Sequence, residues 1–313
     1  MDGRCLNYCG RTNLSDGTLS TCQACSWGSR VLSANSDWLC AACETPLALY
    51  DWLYLGCMAL LPLLLHSLAI EYAANHKSPP LLLVLQHISS VVECACAALF
   101  CVLLFRPAGS LRLVGCGVRG LSDWYTLFFN PTINYTHTIH CTQEAVYPLF
   151  SLPFLYNGFC LFFMALLRPL FLLLLRRSGA SGSKVAGAVN TSPSCAVYAA
   201  LYFIPLCSLA HAVLAGFVYY CFAYLLLLAT LLSNTLHLAK YPEQRTLALL
   251  TASLRQPRNV AIQLVHCLLF AYCIVSLTQF TQPLTHALLL LLVPVPSAFY
   301  LLTVGISDPK KLH

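Results

Sequence analysis

Six cysteines in residues 1–49 are the side chains best suited to covalent or metal chemistry in this chain. They occur as three close pairs: Cys5 and Cys9, Cys22 and Cys25, and Cys40 and Cys43. The last two pairs have the Cys-x2-Cys spacing of a four-thiolate zinc site. In an oxidising compartment the same thiols would form three disulfides instead, with fifteen possible pairings. A segment this short needs one of these cross-links, because it cannot build a sufficient hydrophobic core alone.

Two further cysteines, Cys116 and Cys141, lie in a polar loop and predict a fourth disulfide between them. The remaining ten of the 18 cysteines lie in or beside apolar segments, where a thiol is usually a small buried hydrophobe. The choice between zinc and disulfides therefore depends on the compartment that the N-terminal segment occupies.

Three ionisable residues, His66, His87 and Glu93, lie within apolar segments. A charged side chain at the centre of a membrane helix costs about 2.5–3.5 kcal/mol on insertion scales, so it is retained for a partner or a function. The two histidines fall at similar depth in consecutive helices and could face each other as a metal pair or as part of a proton path. No third ligand or acidic chain continues from them, which favours a structural role. We therefore expect Glu93 to be protonated, with no cation fixed at its depth, and the histidines to be hydrogen-bonded between helices.

Partial copies of two intramembrane protease motifs occur in the chain. The Gly-x-Ser-Gly pattern of rhomboid proteases is present at Ser181, but in a Gly/Ser-rich linker and not at the start of a membrane helix. The pair Tyr50-Asp51 copies half of the aspartyl protease signature, and its second half is absent from the sequence, as is the pattern His-Glu-x-x-His. The sequence therefore predicts a protein that is not an enzyme and has no cofactor.

The composition indicates that these residues are held in a polytopic membrane protein. Hydrophobic residues make up 58% of the 313 residues and charged residues 9%, and the mean hydropathy is +0.72. A soluble domain has about 25% charged residues. The net charge of +6 is spread over short connectors without a basic block interleaved with aromatic residues, which excludes a nucleic-acid partner and leaves membrane lipid as the surroundings.

Apolar segments that can cross a bilayer core of about 30 Å predict an all-α fold with seven transmembrane helices. Residues 1–49 form a small cysteine-rich module before the first helix, and residues 106–144 form a long loop. A turn at Ala215 and Gly216 is expected to separate helices four and five, because residues 196–239 are too long for one span. The predicted helices cover residues 50–72, 81–105, 145–167, 196–215, 217–239, 260–280 and 286–304.

The distribution of Lys and Arg orients these helices. With the N-terminus outside, eleven Lys and Arg fall in the inner segments and six in the much longer outer ones, in agreement with the positive-inside rule. The cysteine-rich module and loop 106–144 are therefore expected in a lumen that favours disulfides, and the tail 305–313 in the cytosol. Two glycosylation patterns, at Asn13 and Asn134, lie on the lumenal side.

Two predicted cytosolic loops, residues 168–194 and 240–258, each carry four Lys or Arg. Exposed and conformationally loose basic segments suit weak, regulated docking of soluble partners, so an adaptor is the leading prediction. The docking candidates are Arg176, Arg177, Arg245 and Arg255. The alternative is a transporter or channel that uses the membrane His and Glu residues. Such a protein would need polar side chains along a continuous path and, commonly, matching halves, and the sequence has no internal repeat.

Seven strings across the chain resemble the c-Jun N-terminal kinase-associated membrane proteins. They are YDWLYLG at 50–56, LSDWYT at 121–126, HCT at 140–142, EAVYP at 144–148, RPL at 168–170, YAALYF at 198–203 and PVP at 294–296. The resemblance implies a seven-span, non-enzymatic protein of the endoplasmic reticulum membrane. It also implies a role in clearing misfolded proteins and in the unfolded protein response, through recruitment of proteasome components and a membrane-anchored RING ubiquitin ligase. A further implied partner is c-Jun N-terminal kinase, the duration of whose activity such proteins modulate.

Overall fold

The computed structural model describes residues 5–6, 8–31, 38–73, 80–129, 141–177, 192–241 and 243–304. The chain forms two compact units, Met1–Val218 (unit 1) and Tyr219–His313 (unit 2). Unit 1 contains all the disulfides of the described residues and the first three long helices. Unit 2 contains the C-terminal helices, and one long helix contributes residues to both units.

Short antiparallel strand pairs form the N-terminal part of unit 1. Strands β1 (Cys9–Gly10) and β2 (Gln23–Ala24) pair, as do β3 (Ser29–Val31) and β4 (Cys40–Ala42). The third pair joins β5 (Thr45–Pro46) to β6 (Val114–Gly115), so the N-terminal segment is paired with loop 106–144. We call these two segments together the cysteine module. Its core contains the buried residues Cys5, Cys9 and Cys141, as expected for a module too small for an ordinary hydrophobic core.

Three long apolar helices follow in unit 1: α1 (Leu49–Ala73), α2 (Pro80–Leu104) and α3 (Ser151–Arg177). The first two agree with the predicted spans within one residue at each end, because polar residues bound the apolar runs closely. Helix α3 starts six residues later than predicted and ends ten residues later, since residues 145–150 form turns and Pro169 lies inside the helix without ending it. Arg168 is therefore within α3 and not at its exit.

Helix α4 (Ser192–Ala239) is one continuous helix of 48 residues, so the predicted turn at 215–216 is wrong. Gly216 has a different role: a Cβ atom there would lie 2.7 Å from Cβ of Trp124 and 2.8 Å from Cε2 of Tyr125. The glycine lets loop 106–144 pack directly on the helix.

Unit 2 contains the rest of α4 and four shorter helices, α5 (Thr246–Arg255), α6 (Pro257–Thr278), α7 (Pro283–Leu289) and α8 (Val295–Thr303). The segment 240–258 was expected to be loose, but most of it forms α5, whose Leu249 is buried and whose Thr246 hydroxyl donates to the Leu301 carbonyl over 3.1 Å. Among the described residues, six helical segments are long and apolar enough to cross a membrane, counting α4 once and α7–α8 together. The polytopic helical fold with an N-terminal cysteine-rich module is confirmed.

Candidate functional site

All eight cysteines proposed for covalent chemistry form disulfides, so the prediction of oxidised thiols is confirmed. Two bridges lie within the N-terminal segment, and two others tie it to loop 106–144. The four pairs are Cys5–Cys22, Cys25–Cys40, Cys9–Cys141 and Cys43–Cys116. The predicted bridge between Cys116 and Cys141 is wrong, because β5 and β6 bring the two segments together and give each loop cysteine a partner in the N-terminal segment.

A buried ion pair between Arg30 and Asp123 also joins the two segments of the cysteine module. Nη2 of Arg30 donates to Oδ1 of Asp123 over 2.9 Å, and Nη1 donates to Oδ2 over 3.2 Å. The backbone amide of Arg119 donates to Oδ2 over 2.7 Å, and Nη1 also donates to the Gly117 carbonyl over 3.1 Å. The side chains of the pair are only 9% and 4% exposed. Good geometry and added hydrogen bonds are what a buried pair needs to offset its desolvation.

Glu144 connects the cysteine module to the start of α3. Its Oε1 accepts the backbone N–H groups of Phe150 and Ser151 over 3.2 and 3.0 Å, as a capping carboxylate does at a helix N-terminus. Its Oε2 accepts the indole N–H of Trp27 over 2.8 Å, and Trp27 packs edge-on against Tyr147 at 5.0 Å between ring centroids. Burial raises the pKa of the Glu144 carboxyl, and these hydrogen bonds oppose that rise.

Within the helices of unit 1, Glu93 of α2 meets Arg168 of α3. Nε of Arg168 lies 2.9 Å from Oε1 and 3.2 Å from Oε2 of Glu93, and Nη2 lies 3.0 Å from Oε2. The Ser89 hydroxyl donates to Oε1 over 2.7 Å. The expectation that no cation is fixed at the depth of Glu93 is therefore wrong, because the guanidinium of Arg168 contacts both oxygens of this side chain. The side chains are 13% and 1% exposed for Arg168 and Glu93.

His66 of α1 completes this buried cluster, whereas His87 lies elsewhere. Nδ1 of His66 accepts from Nη2 of Arg168 over 3.1 Å, and its ring packs edge-on against Phe203 of α4 at 5.1 Å between centroids. Nε2 of His87 lies 3.6 Å from Oε1 of Glu71 in a partly exposed pair. The two histidines do not form the predicted pair, because His66 faces α3 and α4. Among the described residues, no group of three or more His, Cys, Asp or Glu could hold a metal ion.

Arg168 is the main residue that the sequence analysis missed. It was placed in a cytosolic loop, because a proline follows it and Arg176 and Arg177 come soon after. The sequence does contain a signal, because apolar residues lie on both sides of Arg168. A charge inside an apolar run needs a partner, and Glu93 is an opposite charge that also lies inside an apolar run. The cluster of Glu93, Arg168 and His66 links three helices, so its geometry supports a structural connection.

The other predicted sites lie on the surface or outside the described residues. Asn13 is exposed, and Asn134 lies outside the part of the chain that the structure describes. Arg176 and Arg177 belong to the last turn of α3. Arg245 is the N-cap residue of α5 and Arg255 is its last residue. Both are exposed, and Nε of Arg245 lies 3.9 Å from Oε1 of Glu243. The docking candidates therefore occupy helix ends and not one long flexible loop.

Known proteins resemble this chain over nearly its whole length. The family model described as JNK1/MAPK8-associated membrane protein matches residues 5–309. The protein of that name from Mus musculus is 39% identical over 315 residues, which cover 98% of this chain and 95% of the relative. The Homo sapiens protein is 38% identical, with the same two coverages. A homolog from Caenorhabditis elegans is 31% identical over 97% of this chain and 94% of its own length.

No solved structure matches the chain significantly. The family assignment therefore rests on sequence similarity, and it agrees with the polytopic helical fold and the disulfide-bonded N-terminal module. The chain belongs to the JNK1/MAPK8-associated membrane protein family.

Proposed function

We propose that this protein is a non-catalytic adaptor of the endoplasmic reticulum membrane. It brings proteasome components and a membrane-anchored RING ubiquitin ligase to misfolded proteins, and it binds c-Jun N-terminal kinase and modulates the duration of its signalling. The observation that carries the proposal is the family match over residues 5–309, with relatives named for their association with JNK1/MAPK8. The degradation partners are those that the sequence resemblance implies.

Glu93 and Asp51, the two carboxylates considered for catalysis, are both hydrogen-bonded within the protein, which supports a role without catalysis. The oxygens of Glu93 are occupied by Arg168 and Ser89, so this carboxylate is not free to transfer a proton to a substrate. Asp51, half of the aspartyl protease pattern, accepts the backbone N–H of Ala48 over 3.1 Å at the start of α1. Both residues have structural partners that account for their presence in a hydrophobic chain.

The proposed topology places the cysteine module in the lumen and the C-terminus in the cytosol. The four disulfides support this orientation, because disulfides persist in oxidising compartments and are rare in the cytosol. The eleven-to-six distribution of Lys and Arg favours the same orientation. Asn13 would then be open to glycosylation, and the basic segments 168–194 and 240–258 would face soluble cytosolic partners.

Basic side chains at helix ends suit the recruitment of soluble partners. Arg245 is 83% exposed in its side chain and has only a distant contact with Glu243, so its charge acts mainly at long range. Such charges raise the rate of association and make it salt-dependent, more than they raise the final affinity. A membrane adaptor that holds partners transiently needs this behaviour.

Co-purification from membranes solubilised in mild detergent tests the proposal. Arg176→Gln, Arg177→Gln, Arg245→Gln and Arg255→Gln are combined in one variant. The matched control removes two exposed arginines from the proposed lumenal side, Arg106→Gln and Arg112→Gln. At equal abundance, the variant without the four proposed cytosolic arginines should recover severalfold less proteasome and kinase than the wild type. The control should recover wild-type amounts. Equal recovery by all three proteins would contradict docking through these arginines, and no recovery by the wild type would contradict the adaptor itself.

A further inference from the structure

Three polar side chains meet among the apolar helices of unit 2, and we call them the amide cluster. They are Asn234 of α4, Gln263 of α6 and Ser297 of α8. Nδ2 of Asn234 donates to Oγ of Ser297 over 3.0 Å, and that hydroxyl donates to Oε1 of Gln263 over 3.4 Å. All three residues lie in segments long and apolar enough to span a membrane, where lipid offers no hydrogen bonds.

The amide cluster lies close to one end of unit 2. Asn234 is five residues before the end of α4, Gln263 is six after the start of α6, and Ser297 is six before the end of α8. At about 1.5 Å per residue, each lies about 8–9 Å along its helix from that end. The segment 240–258, which carries Arg245 and Arg255, joins α4 to α6 at this end.

Two atoms of the cluster, Oδ1 of Asn234 and Nε2 of Gln263, have no hydrogen-bond partner among the described residues. Asn234 is only 2% exposed. One atom is an acceptor and the other a donor, and both amide groups bond to the same hydroxyl. If the O and N positions of both amides are exchanged, Gln263 donates to Ser297 and Ser297 to Asn234, and one donor and one acceptor again remain. The cluster therefore offers a complementary pair of polar groups in either assignment.

Two other polar side-chain contacts of unit 2 form without using this pair. Nε2 of His266 lies 3.0 Å from Oγ of Ser233, and the Tyr300 hydroxyl donates to Oε1 of Gln244 over 3.2 Å. A buried polar group without a partner destabilises a fold, and more strongly so in a membrane. Polar groups in this position are therefore expected to serve recognition.

We propose that the amide cluster binds a transmembrane helix of a misfolded client that carries a carboxamide side chain. One Asn or Gln side chain presents a donor and an acceptor together, which matches the acceptor and the donor that the cluster offers. Gln263 and Ser297 are half-buried, so two members of the cluster border the surface of unit 2. Assembled membrane proteins keep such side chains hydrogen-bonded between their own helices, so an available carboxamide marks a chain that has not assembled.

This inference rests on the proposed adaptor function and names the kind of client it recognises. It also places the binding of the client and the binding of soluble partners on adjoining helices of unit 2. A client helix would contact α4, α6 and α8 near the end that leads into α5, and soluble partners would contact the arginines beside α5.

Crosslinking of the full-length protein to two matched clients in native membranes tests the proposal. Both clients are the same misfolded single-span protein, with Asn in the middle of the span in one and Leu in the other. The wild-type adaptor should capture the Asn client about threefold to tenfold better, the range expected for interhelical hydrogen bonds. Asn234→Leu and Gln263→Leu should each abolish this preference.

The matched control is Thr230→Val, which removes another buried hydroxyl of α4, one that donates to the Leu226 carbonyl over 2.7 Å. It should keep the preference for the Asn client. Equal capture of both clients by the wild type would overturn the inference without any need for a folded variant. If both clients are degraded at the same adaptor-dependent rate, the adaptor function stands and only the recognition site fails. Self-association of two wild-type copies that Asn234→Leu abolishes would assign the site to a second copy and overturn the client assignment.

Discussion

The guanidinium of Arg168 contacts the carboxylate of Glu93 through both Nε and Nη2, inside the apolar helices of unit 1. The same guanidinium donates to Nδ1 of His66, so one side chain of α3 is bonded to α1 and α2. In a bilayer, helices have little hydrophobic drive to associate, and polar contacts of this kind hold them in one arrangement. The cluster of Arg168, Glu93 and His66 therefore positions α1, α2 and α3 relative to one another.

Glu93→Gln should destabilise the protein, because it leaves the Arg168 charge buried without a counterion. The expected loss is about 3–5 kcal/mol, as for other broken buried pairs, and it should appear as a lower Tm of the protein purified in detergent. Glu71→Gln, which changes an exposed carboxylate, is the control and should leave Tm nearly unchanged. A double variant with Arg168→Gln should be less destabilised than Glu93→Gln alone. A wild-type Tm for Glu93→Gln would show that the pair contributes nothing to the fold.

Proteolysis without reduction should reveal the two long-range disulfides. A single cut between α1 and α2 should leave the two fragments joined by Cys9–Cys141 and Cys43–Cys116 until a reductant is added. In the double variant Cys9→Ser and Cys43→Ser, the fragments should separate without reduction, whereas Cys5→Ser alone should leave them joined. Peptide mapping that recovers Cys116 linked to Cys141 would contradict the arrangement of the cysteine module.

Gly216→Ala should destabilise the packing of loop 106–144 on α4. The added Cβ would lie 2.7 Å from Cβ of Trp124, closer than the two carbons can approach, and overpacking of this kind costs about 1–3 kcal/mol. Gly158→Ala is the matched control, since nothing lies within 4 Å of a Cβ there and alanine is the better helix former. A lower Tm for the first variant and an equal or higher Tm for the second is expected. Equal effects at both positions would contradict the close contact with Trp124.

The stability of the cysteine module should depend on pH through Glu144. Burial raises the pKa of this carboxyl above its ordinary value of 4.5. A raised folded-state pKa contributes stability that is fully present below the unfolded-state pKa and is lost as pH rises through the folded-state pKa. The Tm difference between the wild type and Glu144→Gln should therefore shift in favour of the wild type as the pH falls from 7 towards 4.5.

Asp16→Asn provides the contrast for this measurement. The Thr18 hydroxyl and backbone N–H hold the pKa of Asp16 below its ordinary value, so its contribution is lost as the pH falls and has the opposite sign. A Tm difference for Glu144→Gln that does not vary with pH would contradict the burial of the Glu144 carboxyl.

The elements that the sequence predicted well are those set by local pattern. Helices α1 and α2 follow from uninterrupted apolar runs with polar residues at each end, and the oxidised state of Cys22 and Cys40 follows from charge topology and compartment. The disulfide pairing could not be predicted, because two of the four bridges join residues that are 132 and 73 positions apart, Cys9–Cys141 and Cys43–Cys116. Local pattern contains no information on such contacts.

Two other differences arise from residues with more than one structural role. The sequence predicts a third membrane helix that ends at residue 167, but a proline such as Pro169 is tolerated inside a membrane helix when neighbouring groups satisfy the freed backbone, so Arg168 lies inside α3. Gly216 was taken to mark a turn, whereas its missing Cβ is needed for contact with Trp124. In both cases the partner, Glu93 or Trp124, lies far away in the sequence.

The half-life of a misfolded polytopic membrane client, followed by pulse-chase in cells with and without this protein, addresses the adaptor proposal most directly. Depletion should lengthen the half-life severalfold while ubiquitin ligase and proteasome levels stay constant. Re-expression of the wild type should restore the original client half-life. The quadruple arginine variant should reach the same abundance as the wild type but restore only part of the client clearance. An unchanged client half-life after depletion, with no proteasome components recovered on the wild-type protein, would contradict the adaptor function.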